Sequence, residues 1–157
     1  MKARALFAAI ITFLSISFLP AAEFTQEENQ AIQDILSFRL SLRSYSTNDE
    51  VIEKVRSYRQ EKLSSIENFS EEARLVCLNM LATAEYNAFY AEDMHAPEME
   101  GILRPQYEKI REFQEKTPAE EQNPWFVFTS ADIINSMMQF LKQGEAISLG
   151  LKEKKEY

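Results

Sequence analysis

Residues 70–92, SEEARLVCLNMLATAEYNAFYAE, decide the fold. Ser70 is a natural N-cap, and Glu71 and Glu72 sit in the first turn where the helix dipole favours negative charge. On a wheel at 100° per residue, the apolar residues form two faces rather than one stripe. Val76, Cys77, Met80, Leu81, Ala84 and Ala88 make a wide face; Leu75, Leu78, Ala82 and Phe89 make a narrower one. A helix apolar on two sides needs neighbours on two sides. Two polar seams separate the faces. Arg74, Glu85 and Glu92 form a charged seam, whereas Glu72, Asn79, Thr83, Tyr86 and Tyr90 form an almost uncharged one.

Further helices flank this stretch. Thr25-Gln26-Glu27-Glu28 is a capping box that opens a helix over 26–44. Asn48 caps a second over 49–66, with Val51, Ile52, Val55, Tyr58, Leu63 and Ile66 in a regular stripe. A fourth segment, 97–116, keeps helical spacing through Met99, Leu103, Tyr107 and Ile110, with Gly101 and Pro105 opposing a straight run; Pro105 either kinks it or begins a fresh helix, and one kinked helix is the expectation. Thr117-Pro118-Ala119-Glu120 signals one capped turn. Asn123 then caps a helix over 124–141 with Pro124 at its first position. Its expected buried side is Phe126, Val127, Ile133, Ile134, Met137, Met138, Phe140 and Leu141. Gly144 is expected to break the run and a last helix to follow over 145–157. No segment has the alternation and turn chemistry of a hairpin, and three glycines in the whole chain are few for a β-rich fold. The expected class is all-α, with about six helices.

The first residues, MKARALFAAIITFLSISFLPAAE, read as a secretory signal peptide: Lys2 and Arg4 start it, 5–19 is its apolar centre, and Pro20-Ala21-Ala22 its exit. Pro20 stands where a small residue is usual, so an uncleaved anchor is the alternative. The division is 1–22 signal peptide and 23–157 one helical domain, exported to a periplasm or secreted. The chain has 17 Lys+Arg against 25 Asp+Glu, a net charge of −8; without Lys2 and Arg4 the balance is 15 against 25, or −10. Such a surface disfavours nucleic acid and anionic membranes, both of which need a basic patch. Cys77 is the single cysteine, so no internal disulfide forms and the exported fold relies on packing.

The charges divide by helix. The first, third and fifth helices hold 11 charged residues among 60, the second, fourth and sixth 23 among 51, which makes the odd helices the inner ones. Their neutral polar positions suit a concave binding surface. On the fifth helix the expected outward side carries Trp125, Phe128, Asp132, Asn135, Ser136 and Gln139, and exposed rings are enriched where proteins dock. The alternative is that Trp125 and Phe128 pack under the 117–123 loop.

Alternating inner and outer helices on short turns resemble tetratricopeptide-type repeats. The local match is Gln143-Gly144-Glu145-Ala146-Ile147, similar to the family's turn into its second helix, where a small Ala packs between helices. The resemblance covers residues 124–157. Ile133 and Met137 stand where the family often has Leu and Tyr, Gly150 replaces an aromatic, and helix pairs beginning near 26, 70 and 124 do not keep the 34-residue period. The resemblance implies antiparallel hairpins stacked as a short divergent solenoid, binding a peptide or protein on its inner helices and without catalytic residues of its own. The partner surface would then comprise Asn79, Thr83, Tyr86, Tyr90, Trp125, Phe128, Asp132 and Asn135, with self-association through the last helix as a further expectation.

Two other functions compete. Met80, Met137 and Met138 could line an apolar cavity of a lipid or solute carrier, although methionine at helical spacing also fills ordinary cores. Glu92 and His95 have the Glu-x-x-His spacing of di-iron bundles, but His95 is the only histidine and the motif occurs once. There is no two-histidine zinc motif, no Gly-x-Ser-x-Gly turn and no phosphate-binding glycine loop. No complete catalytic motif and no cofactor are implied.

Overall fold

A computed structural model describes residues 23–42, 48–90 and 96–148. Among these residues every regular element is helical. They are α1 (Gln26–Ser41), α2 (Asn48–Leu63), α3 (Glu71–Tyr90), α4 (Ala96–Lys116), a 3-10 turn (Ala119–Glu121) and α5 (Pro124–Ser148). The all-α expectation holds. The signal segment 1–22 and the chain after 148 lie outside the described residues, so neither the leader nor the far end of the expected last helix is placed.

α3 is the axis of the molecule: α1, α2, α4 and α5 all pack on it, and α4 and α5 also pack on each other. The two apolar faces of its sequence account for this. Val76, Cys77, Met80 and Leu81 from the wide face and Leu75, Leu78 and Ala82 from the narrow one are all buried. Ile32 and Ile35 of α1, Ile52 of α2, Leu103 and Ile110 of α4, and Phe126 and Ile133 of α5 complete one continuous core. Phe38 of α1 stacks on Tyr58 of α2, with ring centroids 3.8 Å apart.

Three start signals act as their chemistry requires. The Thr25 hydroxyl accepts from the Glu28 N–H at 3.2 Å while Glu28 accepts from the Thr25 N–H at 2.8 Å. Ser70 accepts from the Ala73 N–H at 3.3 Å, and Asn123 Oδ1 from the Trp125 N–H at 2.9 Å. The one-turn signal at 117–120 coincides with the 3-10 turn, which follows Pro118 without a side-chain capping bond. α2 begins at Asn48 itself and ends at Leu63, short of the expected 66, although Ile66 remains buried in the turn that follows.

α4 is one helix with Pro105 inside it, the single run that the spacing predicts. The carbonyl that Pro105 leaves without its helical donor belongs to Gly101, and both residues are exposed. α5 runs unbroken through Gly144 to Ser148, which removes the expected turn at 143–145 and the separate sixth helix. A single interior glycine costs about 1 kcal/mol relative to alanine, too little to end a helix where no left-handed cap follows. Finally, α1 is not an inner helix: only Glu28, Ile32 and Ile35 of its length are buried.

Candidate functional site

The uncharged seam of α3 does not border a hollow. Asn79, Thr83 and Tyr86 are all buried, and Tyr86 is among the largest fully enclosed side chains. The Thr83 hydroxyl donates to the Asn79 carbonyl at 2.8 Å, the back-bonding of a helix interior. These three expected partner-binding residues are core residues because four helices surround α3, where a two-layer array would have left one side open. Tyr90 ends α3, and its side chain lies outside the described residues, as do Glu92 and His95.

The charged seam has a different use. Glu85 is buried on α3, and Arg56 Nε and Arg59 Nη1 of α2 reach its two carboxylate oxygens at 2.7 and 3.6 Å. Arg56 is exposed, so the pair joins a solvated cation to an enclosed anion.

A second set of carboxylates gathers the starts of three helices. Glu28 Oε1 accepts from the Ser70 N–H at 2.7 Å, joining the first turn of α1 to the cap of α3. Glu72 Oε1 accepts from the Asn123 N–H at 2.6 Å, joining the first turn of α3 to the cap of α5. The N-termini of α1, α3 and α5 therefore lie at one end, and α2 and α4 run back the other way. Burial pushes the Glu28 carboxyl up, but hydrogen bonds from Thr25 and Ser70 together outweigh it and hold the group below the ordinary carboxylate value. Glu72 has one such donor, and burial prevails, raising it. Each carboxylate caps a helix other than its own. Burial, reinforced by the charge of Glu28, pushes the Cys77 thiol up to about 12, so it is not a nucleophile at neutral pH.

Among the described residues no three His, Cys, Asp or Glu side chains converge as metal ligands would. Met80 and Met137 are core residues, and Met138 is exposed, so the three do not share a cavity wall. An open groove of about 520 Å³ between α1 and the end of α2 is lined instead by Gln26, Glu27, Gln30, Asp34, Lys62 and Phe69 among others. No described helix is long and apolar enough to cross a membrane.

The outward face of α5 is what remains, and it is unlike any other surface here. Six large apolar side chains are exposed among the described residues, and four belong to α5: Val127 (48%), Phe128 (58%), Met138 (49%) and Leu141 (55%). Ala131 and Asn135 are also exposed, Trp125, Asp132 and Ile134 partly so. Trp125 packs on the core while Phe128 is exposed. Val127, Met138 and Leu141 were expected inside, and Ser136, expected outside, is buried. The helix carries apolar residues over more of its circumference than its neighbours cover. Sequence shows the surplus but not which flank is turned inward. Asp132 lies near Arg39 of α1, whose guanidinium burial pulls below its usual value while the aspartate acts in the opposite sense.

No protein-family model matches the chain, and no curated protein or solved structure does either.

Proposed function

We propose that this is an exported helical interaction module that docks a protein segment on the outward face of α5. The observation that carries the reading is the concentration there of four of the six exposed large apolar side chains. Monomeric soluble proteins rarely leave such a patch contiguous, and aromatic and methionine side chains are enriched at docking surfaces. Within residues 124–141 the only charged side chain is Asp132, in a chain that is otherwise strongly acidic. Export is read from the basic-then-apolar start of the chain, and the mode of action from the apolar face that α5 leaves uncovered. The docking face thus moves from the enclosed seam of α3 to α5, where Phe128 and Asn135, with Trp125 and Asp132 at the edge, join Val127, Met138 and Leu141 as its contact residues.

The experiment is site-specific photocross-linking. A benzophenone side chain replaces Phe128 in one variant and exposed Lys109 of α4 in another, and both are irradiated in the native extract. The reading expects discrete protein adducts from position 128 and none of comparable yield from position 109. Equal or absent adducts at both would contradict it.

A further inference from the structure

We propose that the segment docking on α5 is α5 of a second copy of this chain, packed antiparallel about a two-fold axis at Ile134. The inference rests on the docking reading above and names its partner.

The spacing of the exposed residues carries it. Val127, Ala131, Ile134, Met138 and Leu141 follow one another at steps of four, three, four and three, the seam that one helix offers to another. None of the five is fully enclosed by the chain's own fold. The seam is also nearly palindromic. With Ile134 on the axis, Val127 meets Leu141 of the second copy, and Ala131 lies beside Met138, one residue from exact register. A small residue thus faces a large one on either side of the centre, the alternation by which facing layers interdigitate. An isologous pair needs one patch to complement itself, and this one does.

Charge points the same way. Two copies of a chain with net charge −8 repel each other over most of their surface. The α5 face is where that repulsion is least. Area is sufficient: a half-exposed large side chain leaves on the order of 100 Å² to cover. The seam and Phe128 then offer roughly 500 Å² per copy, about 1,000 Å² in the pair, which reaches the lower bound for a specific interface.

Sedimentation equilibrium of the purified protein tests this, together with Met138→Glu and with Ile134→Cys and Val127→Cys, each carrying the enclosed Cys77 as its only other thiol. Met138 is exposed, so its glutamate variant keeps the helical circular-dichroism signal, and each pair of copies would then carry two carboxylates in the seam. The expected result is a dimer that Met138→Glu weakens at least ~100-fold, measured as the dissociation constant. Mild oxidation is expected to link the copies of Ile134→Cys across the axis and to leave Val127→Cys unlinked. A parallel pair would link both variants and overturn the antiparallel assignment. A wild-type protein that stays monomeric to about 100 µM, or a dimer indifferent to Met138→Glu, would overturn the inference. If position 128 then gives adducts to a different protein, the docking reading stands without it; if it gives none, both fall.

Discussion

The Ser70 N–H donates to Glu28 Oε1 at 2.7 Å across 42 residues of chain, so the side chain that closes the capping box of α1 also caps α3. Glu28 uses both oxygens, one for Thr25 and one for Ser70. Glu72 repeats the device between α3 and α5 with a single donor. Deeper burial of Glu72 and its smaller number of donors together account for the opposite directions in which the two carboxyls are displaced.

Glu28→Gln and Glu72→Gln are therefore expected to differ. A glutamine has one acceptor oxygen for the two N–H groups at position 28, and stranding one of them costs about 1–3 kcal/mol. Because the folded-state value of Glu28 is lowered, its contribution is complete above the ordinary carboxylate value and is lost as pH falls through the folded value. The deficit of Glu28→Gln should thus shrink in acid. Glu72 is raised, so its ionisation opposes folding as pH rises from the ordinary value through the folded one. Glu72→Gln keeps an acceptor for Asn123 and should gain on the wild type toward neutral pH. Urea denaturation at pH 4 and pH 7 reads both.

Glu85 predicts an asymmetry across its ion pair. Replacing Arg56 and Arg59 together by alanine strands an enclosed carboxylate and should cost on the order of 3 kcal/mol. Glu85→Gln leaves two arginines with access to water and should cost less. Equal losses for the two variants would mean that the carboxylate is hydrated after all.

Gly101 of α4 has no atom within 4 Å of where a Cβ would stand. Gly101→Ala should raise stability by about 0.5–1 kcal/mol through backbone entropy alone. The thermal midpoint is the readout.

Cys77 should resist alkylation in the native protein at pH 8 and react once the chain unfolds, since burial holds the thiol protonated. Its labelling rate in increasing urea should follow the global unfolding curve. Rapid native labelling would contradict the placement of α3 at the centre.

Much of this fold is legible in the chain because the signals are local. Thr25, Ser70 and Asn123 announce helix starts by side chains that can satisfy orphan N–H groups, and the two apolar faces of 70–92 demand the neighbours that α3 has. What was not legible depends on how many helices surround each rod. Asn79, Thr83 and Tyr86 look like a polar surface in sequence, yet a fourth neighbour makes them core. Glu72 reads as a dipole residue of its own helix, and nothing nearby in sequence marks Asn123 as its partner. On α5 the surplus of apolar residues was visible, but its rotation was set by α3 and α4, so Val127, Met138 and Leu141 changed sides.

The α5 face is the central claim, and Met138 and Met137 are adjacent reporters on it, one exposed and one buried. Peroxide oxidation of both, followed by mass spectrometry, compares dilute purified protein with the protein in its native extract. The account predicts fast oxidation of Met138 and slow oxidation of Met137 in the dilute sample. In the extract, Met138 should slow several-fold while Met137 stays as it was. An unchanged Met138 rate between the two samples would contradict docking on α5.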